Sequence, residues 1–154
     1  LKTFGQIVLI WSLTLFVIPT LLLNATGKKV ELNFDYVQIG AAVLFILFSS
    51  LGLYSSYHLV KYGIGTPLPL DQTQKLVISG PYGYVRNPMA VAGIGQGLAV
   101  SLFSGSYLVL FYVLLGAFVW HWFVRPIEEE DMYKRFGEPY DQYKKSVRCW
   151  IPRW

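Results

Sequence analysis

Four long apolar runs, separated by polar segments, dominate the hydrophobic pattern of this 154-residue chain. The runs cover about residues 4–23, 37–59, 88–103 and 107–124. A helix needs about 20 apolar residues to cross a bilayer, so we predict about four transmembrane helices, the third of them short. Residues 126–152 are charged and predict a C-terminal helical segment outside the membrane. We therefore expect an all-α fold, a polytopic membrane helical bundle that forms a single domain over residues 1–154.

Proline, glycine and serine divide these helices. Pro19 lies near the end of the first run and is expected to kink or end its helix. Residues 104–106 read Ser-Gly-Ser and predict a tight turn, so the third and fourth runs should form an antiparallel hairpin. In the charged segment, Gly137 suits a helix C-cap and Pro139 the first turn of the next helix.

Composition and charge fit a membrane protein. The chain is 54% hydrophobic and only 14% charged, whereas a soluble domain is about 25% charged. A net charge of +4 is too small to suggest nucleic acid as a partner. Cys149 is the only cysteine, so no disulfide within the chain is possible. The first run is expected to be a retained helix rather than a signal peptide, because no small-residue cleavage pattern follows it.

Basic residues predict the orientation in the membrane. They concentrate in the loop over residues 61–87 and in the C-terminal segment, which two apolar runs separate. Basic loops face the cytoplasm, so we expect a multi-pass protein of the plasma or inner membrane with both termini cytoplasmic. The basic tail would also face membrane lipids with anionic headgroups. The oligomeric state cannot be predicted from these patterns.

The segment over residues 80–89 stands out because it fits neither a membrane helix nor a polar tail. Pro88 suits the first position of a helix, whose free backbone N–H groups attract a carboxylate or phosphate. Arg86 adds a cation beside that helix start, and Tyr82 and Tyr84 offer aromatic faces. The same residues also fit a simple turn before a helix, with Arg86 reaching lipid headgroups.

Two further patterns are ambiguous when read alone. The acidic run over residues 128–131 lies at the predicted membrane exit beside Arg125, and suits either helix capping or binding of an ammonium, a sulfonium or ribose hydroxyls. Gly93 and Gly97 suit close helix packing or a space for a cofactor, which Gln96 would then face. His58 and His121 are too far apart to suggest a metal site.

Taken together, the two polar segments resemble the isoprenylcysteine carboxyl methyltransferase family, which is related to the phospholipid methyltransferases. Residues 80–89 read Gly-Pro-Tyr-Gly-Tyr-Val-Arg-Asn-Pro-Met. The second segment has Glu128-Glu129, Phe136-Gly137, Tyr140, Tyr143 and Ile151-Pro152 at matching spacing. The resemblance covers about residues 65–152. It implies an integral membrane methyltransferase that uses S-adenosylmethionine at the cytoplasmic surface.

The resemblance and the residue chemistry together define a candidate site. Candidate cofactor-binding residues are Tyr82, Tyr84, Val85, Arg86, Asn87, Pro88, Met89, Gly93, Gln96, Glu128 and Glu129. Candidate catalytic residues are Arg125, Glu128 and Glu129. The implied substrate is a lipophilic small molecule or a lipidated molecule that enters sideways from the bilayer. Arg125 or Arg86 would hold a prenylcysteine-type carboxylate, whereas Glu128 or Glu129 would take the proton of a lipid amine.

Two departures from the family pattern bear on the substrate. Asn87 stands where many members have histidine, and Ala90 stands where tyrosine is common. Asparagine donates a hydrogen bond but does not titrate. Two other classes share parts of the pattern: a membrane sterol-reductase-like enzyme that uses NADPH, and a non-catalytic protein that keeps the fold. Binding of S-adenosylmethionine, of NADPH or of neither would distinguish the three.

Overall fold

The computed structural model describes residues 9–28, 30, 32, 35–64 and 73–152, and all regular structure in these ranges is helical. Five helices follow in order: α1 (Leu9–Ala25), α2 (Tyr36–Gly63), α3 (Pro88–Ser104), α4 (Tyr107–Phe136) and α5 (Glu138–Ser146). The all-α prediction is confirmed. By length and composition, α2 and α4 can cross a membrane, whereas α1 and α3 are shorter apolar helices. A membrane helical bundle is therefore supported, and the number of four spans stays a prediction.

Helix α1 passes through Pro19 instead of ending there. A π-helical turn over Leu13–Val17 precedes the proline, and the Ile18 N–H donates to the Leu13 carbonyl. The helix then continues as an α-helix over Ile18–Ala25. The local change in hydrogen-bond pattern accommodates a residue that has no N–H to donate.

Helix α3 lies between α2 and α4 and packs through its small residues. A Cβ atom on Gly95 would stand 2.4 Å from the Phe48 ring of α2. A Cβ on Gly97 would stand 2.8 Å from Val113 of α4. Both distances are shorter than van der Waals contact, so only glycine permits these approaches. The predicted close packing at Gly97 is confirmed, and Gly95 adds a second close approach that was not predicted.

The predicted hairpin between the third and fourth apolar runs is also confirmed. Gly105 ends α3 with a φ of 55°, in the left-handed region that glycine adopts without strain. Ser106 then caps α4, because its hydroxyl accepts the Val109 N–H at 3.5 Å. The Lys28 ammonium donates to the Gly105 carbonyl, so the end of α1 is tied to the same turn.

Helix α4 continues beyond its apolar part into the charged segment. The apolar part, Tyr107–Val119, passes through a π-helical turn over Trp120–Val124 into the charged turns Arg125–Phe136. Gly137, with a φ of 59°, then breaks the chain direction, as predicted, and α5 begins at Glu138. Helix α5 folds back toward the segment over residues 80–89, where the Tyr143 hydroxyl donates to the Tyr82 carbonyl at 2.7 Å. The charged segment therefore covers the start of α3.

Candidate functional site

The segment over residues 80–89 is a short 3₁₀ turn followed by the start of α3. The turn covers Gly80–Gly83, and Gly80 has a φ of 59°. A Cβ on Gly80 would stand 2.4 Å from the His58 ring, so glycine allows the turn to lie directly on α2. Asn87 caps α3, because its Oδ1 accepts the Ala90 N–H at 3.1 Å, and Pro88 is the first helical residue. The predicted helix start at Pro88 is confirmed.

Glu129 joins the start of α3 to the charged turns of α4. Its carboxylate lies 3.0 Å from Arg86 Nη2, 3.7 Å from Arg125 Nε and 2.7 Å from Lys144 Nζ. The Glu129 side chain is only 13% exposed. Arg86 also donates to the Lys144 carbonyl at 3.3 Å, and its backbone N–H donates to the Arg148 carbonyl at 2.9 Å. One carboxylate and three cations therefore hold the two motifs and α5 together.

Glu128 has a different environment from its neighbour. Its Oε2 accepts the Asn87 side-chain amide at 3.2 Å, and among the residues that the structure describes it forms no ion pair. Glu128 is exposed to solvent as a residue, but partial burial of its carboxyl, and then the charge of Glu129, raise the pKa of that carboxyl. Glu128 is thus a carboxylate with raised basicity that pairs with no cation in the described part of the chain.

A cavity of about 840 Å³ connects these charged groups with the apolar faces of α1, α3 and α4. Ligand pockets commonly measure about 300–1,000 Å³. Its charged end is lined by Arg86, Asn87, Arg125, Glu128, Glu129 and Asp131. Its apolar part is lined by Ile10, Trp11, Gly93, Gly97, Val113 and Ala117. This distribution of charged and apolar lining residues suits a ligand, or a pair of ligands, with one polar and one lipophilic part.

The structure brings most of the predicted site residues to this cavity. Those that line it are Tyr82, Arg86, Asn87, Met89, Gly93, Arg125, Glu128 and Glu129. Four predicted residues do not line it. Tyr84 is 65% exposed, Val85 and Pro88 are buried in the packing at the helix start, and Gln96 donates to Ser49 Oγ of α2 at 2.7 Å. Gln96 therefore contacts α2 and is not among the residues that line this cavity, so its predicted place beside a cofactor is not supported by the cavity lining.

Sequence reasoning missed several residues that line the cavity, among them Trp11, Tyr112, Tyr140, Tyr143 and Cys149. The helical spacing of Tyr140 and Tyr143 was visible, but it did not show which element their common face would contact. Burial raises the pKa of Tyr140 to about 12 and also raises that of Tyr143, which moves the ionisation of both phenols further above neutral pH. Burial likewise raises the pKa of the Cys149 thiol, which favours its protonated form.

His121 does not line the cavity but contacts Arg125, which does. Its Nδ1 accepts the indole N–H of Trp150 at 2.8 Å and lies 3.5 Å from Arg125 Nη1. This contact joins the C-terminal segment to α4 beside the charged end of the cavity. Within the described ranges, no three histidine, cysteine or carboxylate side chains cluster as metal ligands.

The helices are apolar enough to suit a membrane, and the cavity between them has charged residues at one end. Residues 37–139 match the family model described as phospholipid methyltransferase, which is more than half of the chain. The chain therefore belongs to the phospholipid methyltransferase family, and the resemblance found in the sequence is confirmed.

A curated relative supports the same relationship. Over 79 residues the chain is 33% identical to the protein-S-isoprenylcysteine O-methyltransferase of Schizosaccharomyces pombe (strain 972 / ATCC 24843). The aligned region covers 50% of this chain and 33% of that protein. The chain thus spans about a third of the length of the relative that it matches.

Proposed function

We propose that this protein is a membrane methyltransferase that uses S-adenosylmethionine and methylates a lipophilic acceptor. The observation that carries the proposal is the meeting of the two motifs at one cavity. Asn87 and Arg86 from the start of α3 contact Glu128 and Glu129 of α4 at its charged end. The apolar remainder of the cavity suits a lipid chain. Family membership supports methyl transfer as the reaction.

The residues at the charged end fit the chemical groups of S-adenosylmethionine. The Nε atoms of Arg86 and Arg125 are buried, and neither makes a hydrogen bond to any residue that the structure describes. Three cations face the single Glu129 carboxylate, so Arg86 and Arg125 keep N–H groups and positive charge that suit the carboxylate of an amino acid. Glu128 suits a hydroxyl or ammonium group, and the faces of Tyr82 and Tyr140 suit a ring or a sulfonium cation. When bound, the cofactor supplies an electrophilic methyl group.

The protein's contribution to the reaction is positioning, exclusion of water and proton transfer. The apolar walls at Gly93, Gly97 and Val113 would hold the lipid chain and align the acceptor atom with the methyl group. Correct alignment of two reactants lowers a barrier by several kcal/mol. Glu128 would accept the proton that an amine acceptor loses, because its raised pKa brings its basicity closer to neutral pH.

The charge distribution favours a lipid amine as the acceptor. Glu128 lines the cavity and is in no ion pair within the described part of the chain. A free carboxylate suits an amine better than an anion. A prenylcysteine-type carboxylate is the second candidate, because the chain is similar to an isoprenylcysteine methyltransferase. Arg125, which lines the cavity and is 27% exposed at its side chain, would then hold it.

Calorimetric titration of the detergent-solubilised protein with S-adenosylmethionine and with NADPH tests the proposal. We expect the first ligand to bind and the second to give no heat of binding. Glu128→Gln should weaken S-adenosylmethionine binding, and Glu130→Gln, at a side chain that is 66% exposed and outside the main cavity, should not. Binding of NADPH instead would assign the chain to the reductase-like class. Binding of neither would leave the non-catalytic alternative.

We further propose that the charged end of the cavity faces the cytoplasm and that the chain crosses the membrane more than once. The basic residues of the segments around α3 and α5 support this orientation. A reporter fused after residue 154 that is active only in the cytoplasm would test it. Activity of a periplasmic or luminal reporter at the same position would contradict the orientation.

A further inference from the structure

The hydrogen bonds of Asn87 fix the orientation of its side-chain amide. The Ala90 backbone N–H can only donate, so the atom 3.1 Å from it must be the amide oxygen. The amide nitrogen therefore points the other way, to Glu128 Oε2 at 3.2 Å. A single side chain thus caps α3 and donates to a carboxylate on α4.

Glu128 and Glu129 have different surroundings although they are neighbours on one helix. Glu129 is surrounded by Arg86, Arg125 and Lys144 and connects three parts of the chain. Glu128 has Asn87 as its hydrogen-bond partner, and no described residue hydrogen-bonds to Glu128 Oε1. The first glutamate therefore has one oxygen held and one available, while the second is occupied by cations.

We propose that Asn87 is a positioning residue that holds Glu128 Oε2 and leaves Oε1 to act on the acceptor, and that Glu129 serves to hold the site together. This inference rests on the proposed methyl-transfer function. In the reaction with an amine acceptor, the nitrogen lone pair forms the bond to the methyl carbon and the carbon–sulfur bond breaks with its electron pair going to sulfur. The proton that the nitrogen loses goes to Glu128 Oε1. Asn87 sets the carboxylate orientation for that transfer.

Three substitutions of Asn87 separate helix capping from positioning. Serine and aspartate cap a helix about as well as asparagine, whereas alanine does not. Asn87→Ser keeps the cap but is too short to reach Glu128. Asn87→Asp keeps the cap and replaces the donor with a second carboxylate. Asn87→Ala loses both functions, so only this variant should lose thermal stability through the cap.

The protonation of Glu128 can be measured without any cofactor. The infrared band of a protonated carboxyl group, taken as the difference between each protein and the same protein with Glu128→Gln, gives its midpoint pH. A hydrogen bond to the ionised form stabilises that form, so the midpoint should rise in Asn87→Ser. It should rise further in Asn87→Asp, where two carboxylates share one site. An unchanged midpoint in both variants would overturn the inference.

Methyl transfer gives the second readout. The acid limb of kcat should move to higher pH in the same order as the infrared midpoint. At pH 7 we expect Asn87→Ser to lose about 10²-fold in kcat, the loss typical of a misplaced catalytic group, with a thermal midpoint near that of the wild type. A wild-type pH profile in Asn87→Ser would contradict a positioning role. If the wild type transfers no methyl group, the proposed function fails, while a shifted infrared midpoint would still support the coupling of Asn87 to Glu128.

Discussion

Replacement of Glu129 by glutamine is the most informative change in the cluster that Glu129 forms with three cations. Glutamine keeps the size and hydrogen-bonding capacity of the side chain but removes the charge that faces Arg86, Arg125 and Lys144. The side chains of Arg86 and Glu129 are 12% and 13% exposed, so this pair is largely buried. In the variant, the largely buried Arg86 has lost the carboxylate that neutralises it, which lowers the free energy of unfolding.

The burial of the two ion pairs sets the expected loss of stability. Breaking a buried pair by removing one partner costs about 3–5 kcal/mol in the free energy of unfolding. The Lys144 side chain is 46% exposed, so its pair adds less than about 1 kcal/mol. For a chain of this size, 1 kcal/mol corresponds to about 2–4 °C in Tm. Glu129→Gln should therefore lower the Tm by about 10 °C.

Thermal unfolding in detergent, followed by circular dichroism, measures this effect. Glu130→Gln is the matched control, because Glu130 is the next residue on the same helix and pairs with Lys134 at 2.7 Å between two exposed side chains. Exposed pairs contribute little, so its Tm should match the wild type. Equal Tm changes in the two variants would refute the structural role of Glu129.

The remaining predictions concern packing, a buried hydrogen bond and pH. Gly95→Ala should destabilise the bundle by about 1–3 kcal/mol, because the added Cβ overpacks the contact with α2. Gly116→Ala is the control and should be neutral, because a Cβ there meets no described atom within 4 Å. Expression and Tm of the two variants test this prediction. Tyr143→Phe should cost about 1–3 kcal/mol, because the buried Tyr82 carbonyl loses its donor, and a wild-type Tm would contradict that. Burial raises the pKa of Glu128 above 4.5, so the native state keeps its proton to higher pH than the unfolded state. Stability should fall as pH rises through this window, and thermal scans should show no such contribution in Glu128→Gln.

The sequence predicted the helices well because their limits depend on local chemistry. Apolar runs, the Ser-Gly-Ser turn and the Gly137 break each act within a few residues. Whether Pro19 kinks or ends its helix was left open by the sequence, and the helix continues past it after a π-helical turn. A sequence pattern does not show such an adjustment, because it depends on how the whole turn redistributes its hydrogen bonds.

The candidate site was only partly predictable, for a different physical reason. Arg86, Asn87, Glu128 and Glu129 could be selected from the two motifs, but their pairing depends on how α4 and α5 fold back. The pattern of residues around the acidic run does not distinguish Glu128 from Glu129. The direction of the Gln96 side chain was not predictable either, because it depends on a hydrogen bond to Ser49 of α2. Such choices depend on neighbours that are distant in the chain.

The most direct test of the account is methyl transfer from S-adenosylmethionine labelled at the methyl group. Purified protein in lipid vesicles would be given lipid amines and a prenylcysteine in separate reactions, and label would be measured in the organic phase. With S-adenosylmethionine at saturating concentration for each protein, we predict labelled lipid with the wild type and a loss of about 10²-fold or more with Glu128→Gln, the loss expected on removal of a general base. Glu130→Gln should retain the wild-type rate. Absence of label with every acceptor, or an undiminished rate in Glu128→Gln, would contradict the account.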